Sequence, residues 1–205
     1  MAMGGGYAGV RAFTATSGPG LSLMAESISM AATAEIPVVI IDVMRAGPST
    51  GMATKVEQSD IRYAIGSGHG DAEKIVLAAA SIEDCYYITQ EAFNLAEKFQ
   101  TPVIVLSDLQ FGMCKQSVPA FDLHRVGIER GKLIREGLPE LDTKKKEYFH
   151  RFEDVEDGIS PRTIPGVKNG MFLSTGLEHN VFGKPAEGVG DRVMEMESAI
   201  ANLPA

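Results

Sequence analysis

The 205-residue sequence contains no tryptophan and only two cysteines, Cys85 and Cys114. Two thiols are too few for a disulfide scaffold, and too few to hold an iron–sulfur cluster, which takes four. Basic residues are scarce as well. The 19 Lys and Arg are outnumbered by 27 Asp and Glu, and a net charge of −8 argues against a surface that coats nucleic acid. No apolar run approaches the ~20 residues that span a bilayer, and the amino terminus lacks the basic and apolar regions of a secretory signal. These absences lead to the expectation of a cytoplasmic protein with neither a membrane nor a nucleic-acid partner. Glycine and methionine are plentiful, at 22 and 10 residues, and the 44% hydrophobic fraction excludes wholesale disorder. The length favours one domain with an appendage.

Residues 1–108 alternate between two patterns. Residues 11–17 (RAFTATS), 37–44 (PVVIIDVM), 75–80 (IVLAAA) and 102–108 (PVIVLSD) are short β-prone or continuously apolar runs, the last three typical of strands covered on both faces. Residues 21–35 repeat at helical period through Leu21, Met24, Ile28 and Ala31, and 59–65 suggest a short helix. A longer helix starts at Ser81, where Ser81 and Asp84 fit a capping box. Its apolar stripe holds Ile82, Cys85, Tyr86, Thr89, Ala92, Phe93, Ala96 and Phe99, so Cys85 reads as core. This alternation predicts an α/β fold, a parallel sheet with helices on both faces. The expected domain spans 1–108. Residues 109–205 read as an extended arm, with Lys144, Lys145 and Lys146 on a solvated helix face, a strand at 170–175 and a helix at 191–202.

Four segments are candidates for chemistry. Gly4, Gly5, Gly6, Tyr7, Ala8 and Gly9 match the dinucleotide fingerprint in letters, but no strand precedes them and a β-prone run follows. A helix end that packs closely and then turns fits better. Thr16, Ser17, Gly18, Pro19 and Gly20 lie where a strand hands over to a helix. There, hydroxyls and free amides can meet a ligand, or Ser17 can simply cap the helix. Arg45 follows the next strand and opens the loop Ala46, Gly47, Pro48, Ser49, Thr50, Gly51. A guanidinium at that edge can hold a carboxylate through two parallel bonds, or form a surface ion pair. His69, in GSGHGD, can carry a proton or cap a turn. His124, His150 and His179 are too scattered for a metal site, and none is expected.

FTATSGPG, PVVIIDVMRAGPSTG, TKVEQSD, GHGD and EAFNLAEKFQTPVIVLSD, followed by ISPRTIPG and STGLEHN, resemble in order the alpha subunit of 2-oxoacid:ferredoxin oxidoreductases, most closely the 2-oxoglutarate type. The resemblance implies the pyrimidine-side domain of a thiamine diphosphate enzyme. It also implies a beta subunit carrying Mg2+ and the iron–sulfur cluster. The implied reaction is oxidative decarboxylation of a 2-oxoacid with coenzyme A, giving acyl-CoA, CO2 and reduced ferredoxin. By the same resemblance Thr16, Ser17, Gly18 and Pro19 line the cofactor pocket and Arg45 binds the substrate carboxylate. Gly47, Pro48, Ser49, Thr50 and His69 would contribute to the substrate loop.

The pattern departs in three places. Ala46 replaces the first glycine of the family's R-G-G-P-S-T-G loop. Gly70, Asp71 and Ala72 only approach the diphosphate signature, with Asn94 too early to complete it. The activating glutamate of the family pattern would lie about two turns before Met1, on a helix expected to end at Met1–Met3. The expectation is therefore a fragment, a late-start reading frame or a shortened subunit, with a non-catalytic assembly subunit of the same fold as the alternative.

Overall fold

The computed structural model describes residues 1–142, 148–190 and 193. Four strands form one sheet: β1 (Phe13–Thr16), β2 (Val38–Met44), β3 (Ile75–Ala78) and β4 (Pro102–Asp108). They are ordered β1-β2-β4-β3 and every pairing is parallel. In register, Thr16 faces Asp42 and Met44 faces Asp108, so β1, β2 and β4 end along one carboxyl edge.

The apolar content of β2 and β4 decides the layering. Even positions of β2, Ile40 and Met44, join Ile104 and Leu106 in a cluster with Leu21, Ile28 and Ala64. Odd positions, with Val103, Val105 and Ile75, pack on Ala92 and Ala96 of the other layer. One face thus takes α2 (Pro19–Ser22), α3 (Ala25–Thr33) and α4 (Ile61–Gly66), and the opposite face takes α5 (Ile82–Phe99). Val103 and Ile104 are completely inaccessible, and each such side chain contributes about 1.5–3 kcal/mol of burial. The parallel α/β expectation holds, with helices on both faces.

Several local expectations change. The helical stretch at 21–35 is two helices, because the chain turns at Leu23, which is fully exposed, while Leu21, Ile28 and Ala31 keep the predicted buried face. At Ser81 the hydroxyl accepts from the Asp84 amide at 3.0 Å, but the Asp84 carboxylate reaches back to the Ala80 amide at 2.8 Å, one residue beyond a standard box. The glycine-rich start is α1 (Ala2–Tyr7), which runs past the expected end at Met3. A Cβ on Gly6 would collide with the Pro37 carbonyl, so the run serves close helix–strand packing.

After α6 (Leu109–Met113) the chain to residue 188 holds no helix or strand among the described residues. The strand expected at 170–175 does not form. Two separate backbone bonds, Phe149 to Met171 and Leu173 to Phe182, leave that segment without a ladder. The lysine run at 144–146 and nearly all of the helix expected at 191–202 lie outside the described residues.

The arm is nonetheless pinned to the core by arginines. Arg151 is 2% exposed. It donates to Glu35 Oε2 at 2.7 Å and to Gln100 Oε1 at 2.5 Å, joining the ends of α3 and α5 from opposite faces. Glu97 of α5 receives Arg11 at 3.1 Å, Arg130 at 2.7 Å and Arg162 at 3.0 Å. Asn94, one turn earlier, bonds Arg11 and the backbone at Gly127 and Glu129. Burial is the main influence on Arg162, drawing its guanidinium down to about 10 against the pull of Glu97. Among the described residues no helix is long and apolar enough to cross a membrane.

Candidate functional site

The carboxyl edge of β1 and β2 gathers most of the residues singled out from sequence. β1 ends at Thr16, and Gly18 follows with φ +56° and ψ −120°. That conformation strongly favours glycine, and contact adds to it: a Cβ there would lie 2.8 Å from Arg45 Nε and 3.0 Å from its Cγ. The Arg45 side chain therefore lies across Gly18. Gly20 is equally confined, since a Cβ would collide with the Thr16 hydroxyl. Ser17 is not the cap of α2. Gly18 holds that position without any side-chain bond, which leaves the Ser17 hydroxyl outside the helix terminus. α2 is a single four-residue turn, too short for the helix dipole suggested by the sequence to carry weight.

Arg45 is fixed through its backbone by the EQSD segment at residues 57–60. Its N–H donates to Asp60 Oδ2 at 3.1 Å, and its carbonyl accepts from Ser59 Oγ at 2.5 Å. Gln58 of the same segment donates to Asp108 Oδ2 at 3.1 Å, tying the loop to the end of β4. The loop itself closes on Ala46, whose carbonyl accepts from the Met52 amide at 3.1 Å. Ala46 is 2% exposed and has no positive φ, so a methyl in place of the expected glycine costs the loop nothing in backbone strain. The positive φ falls instead on Ser49 and Gly51. Gly47, Pro48, Ser49 and Thr50 lie on the exposed rim beside Arg45.

His69 lies elsewhere. It is on the segment entering β3, at the amino edge of the sheet, with its amide held by Ser29 Oγ of α3 at 2.7 Å. Cys85 is half-buried on α5, and burial pushes its thiol up, away from a reactive thiolate. Among the described residues no three His, Cys, Asp or Glu side chains gather as a metal site.

One residue of the site was not singled out from sequence. Asp42 of β2 is completely inaccessible, and neither carboxylate oxygen has a hydrogen-bond partner among the described residues. Arg45 Nε, also buried, is unpartnered too. Burial pushes the Asp42 carboxyl up to about 7, and the Asp60 charge adds to this. The Gly18 amide and the Arg45 guanidinium lie close enough to pull the other way. The signal was present in PVVIIDVM: an acid inside an otherwise apolar strand must be paired, protonated or functional.

Comparison with known proteins decides the kinship. Residues 1–198 match the family described as pyruvate flavodoxin/ferredoxin oxidoreductase, thiamine diphosphate-binding. The chain belongs to this family. Subunit alpha of 2-oxoacid:ferredoxin oxidoreductase 2 from Aeropyrum pernix is 49% identical over 90% of the chain, which spans 28% of that relative. The 2-oxoglutarate synthase subunit KorA of Archaeoglobus fulgidus is 37% identical over 96% of the chain, which covers 63% of it. The solved 2-oxoglutarate:ferredoxin oxidoreductase of Magnetococcus marinus, with 2-oxoglutarate, coenzyme A and succinyl-CoA bound, superposes with a TM-score of 0.89 at 40% identity. It is matched over 98% of this chain and 34% of its own. This oxidoreductase-family chain thus spans about a third of that solved relative.

The features at the carboxyl edge fit part of a thiamine diphosphate site. The Thr16 hydroxyl packs on Gly20 and the Arg45 side chain on Gly18, so the turn presents a hydroxyl, backbone groups and a guanidinium together. Such a donor set suits the polar edge of a ring.

Proposed function

We propose that the chain forms the pyrimidine-side part of the alpha subunit of a 2-oxoacid:ferredoxin oxidoreductase, with 2-oxoglutarate as the expected substrate. In this reading the protein works in the cytoplasm with a beta subunit that carries Mg2+ and the iron–sulfur cluster. It oxidatively decarboxylates the 2-oxoacid with coenzyme A and passes electrons to ferredoxin. Thiamine diphosphate, when bound, supplies the carbanion-stabilising chemistry that decarboxylation needs. Thr16, Ser17, Gly18 and Pro19 would line its pyrimidine side. Gly47, Pro48, Ser49 and Thr50 would border the substrate, and His69, held on Ser29 away from Arg45, is left out of the site.

The observation that carries the reading is the setting of Arg45. Its backbone is clamped by Ser59 and Asp60, and its guanidinium lies over Gly18 beside Thr16 with a buried donor unspent. A planar cation held in that way is suited to the carboxylate common to all 2-oxoacids.

The test is coenzyme A-dependent viologen reduction by the chain co-expressed with a beta subunit. It should be run against 2-oxoglutarate, pyruvate and branched 2-oxoacids. Arg45→Lys keeps the charge but loses the fork, and is expected to raise KM for the 2-oxoacid about 10–100-fold, equivalent to 1.4–2.8 kcal/mol. An unchanged KM in Arg45→Lys would remove Arg45 from the role. A stable complex inert toward every 2-oxoacid would favour the non-catalytic assembly subunit.

A further inference from the structure

At the carboxyl edge of β1 and β2 two groups of opposite sign are shut away from water. Asp42 is completely inaccessible, with the Gly18 amide and the Arg45 guanidinium pulling on it but no full hydrogen bond to either oxygen among the described residues, and the buried Nε of Arg45 is likewise without one. Ionised groups rarely stay buried and unpaired; a carboxyl in such a place keeps its proton or finds a counter-charge. Asp42 sits opposite Thr16 on β1 and Leu106 on β4. Its same-face neighbours on β2, Ile40 and Met44, lie in the apolar cluster with Leu21 of α2, Ile28 of α3 and Ala64 of α4. None of these brings a charge. Asp108, further along β4, is engaged by Gln58 and by the Phe111 amide. The charges that act on Asp42 are Asp60, at the start of α4, and Arg45 itself.

We propose that Asp42 is a positioning residue that tunes Arg45. Uncharged, it leaves the whole guanidinium charge to an incoming substrate carboxylate. Ionised, it draws that charge inward and repels the carboxylate. The proposal rests on the reading of Arg45 as the carboxylate anchor. Its direction follows from the site. Burial first, and the Asp60 charge second, push the Asp42 carboxyl up to about 7, against the Gly18 amide and the Arg45 guanidinium. Bound substrate would hold the proton on Asp42 more firmly, and by linkage ionised Asp42 must weaken substrate binding by the same factor.

The experiment is a pH series of KM and kcat for 2-oxoglutarate on the complex with the beta subunit. It is paired with infrared detection of a protonated carboxyl in the same complex. One pH unit of coupling corresponds to about a fivefold rise in KM between pH 6 and pH 8. The break is expected in KM rather than kcat, and in Asp42→Asn it should vanish together with a buried-carboxyl band that titrates near neutrality. Asp60→Asn keeps an oxygen for the Arg45 amide but removes the neighbouring charge, so it should shift both transitions to lower pH. That variant decides the matter should Asp42→Asn fail to fold. A KM break that persists in Asp42→Asn, or is unmoved in Asp60→Asn, overturns the proposal while leaving the function of Arg45 standing. A wild-type complex that binds no 2-oxoacid sinks the reading of Arg45, and the proposal with it.

Discussion

At the scale of single residues, the site depends on what is missing between Arg45 and β1. Gly18 has no side chain, and its backbone angles suit none, so the guanidinium can lie directly over the strand end. Gly18→Ala should therefore act twice. The strained backbone is expected to cost about 1–3 kcal/mol, seen as a lower Tm. The displaced guanidinium should raise KM for 2-oxoglutarate in the complex about tenfold, with kcat reduced less. A fall in Tm with no change in KM would separate Gly18 from Arg45. Thr16, Gly18 and Arg45 were legible in the sequence because strand ends announce themselves in glycine and proline. Asp42 was present as a signal but hidden by its neighbours. In PVVIIDVM the pattern reads as a strand, and a strand reading assigns no task to the one polar position. Burial and the closeness of Asp60 became apparent only when the loop after β2 folded back through residues 58–60.

At the scale of elements, helix α5 shows where periodicity runs out. Ala92 and Ala96 lie on the expected buried stripe, but Tyr87, Asn94 and Glu97 are buried as well, on another side of the helix. An apolar stripe predicts one contact face, and nothing local foretells that a distant irregular segment will cover a second. Glu97 is the centre of that cover, facing Arg11, Arg130 and Arg162. Removing one member of a buried ionic group is costly because the others lose their counter-charge. Glu97→Gln should destabilise the protein by about 3–5 kcal/mol in chemical denaturation. It should also free the half-buried Arg130 for cleavage by trypsin. Unchanged cleavage would mean that the arm is held without Glu97. The division of 21–35 into α2 and α3 was invisible for a related reason. The apolar spacing is continuous through Leu21, Met24 and Ile28, and the break is marked only by Leu23 turning outward.

At the scale of the whole molecule, the arm behaves as a belt fastened at few points. His179 is one of its buried residues: 5% exposed, in tilted contact with the Phe152 ring at 3.9 Å between centroids, with Nδ1 3.0 Å from the Leu177 carbonyl. Burial holds its pKa below the ordinary histidine value. The unfolded chain therefore takes up the proton first. This contribution to stability is intact above about pH 6.5 and is lost as the pH falls. Hydrogen-exchange protection factors across 148–188, which divide out the base-catalysed intrinsic rate, should fall at pH 5 relative to pH 7.5, and His179→Phe should flatten that dependence. Identical protection factors at the two pH values would rule His179 out as the sensitive point. The belt also governs the order of events in folding. Arg151 meets Glu35 across 116 positions of sequence, and Arg130 reaches the Gly9 carbonyl across 121. Contacts so remote along the chain must wait for the loops between them to close. On a ribosome, the α1–β1 corner will have emerged long before the arginines that secure it exist. A corner made early is among the last to be finished.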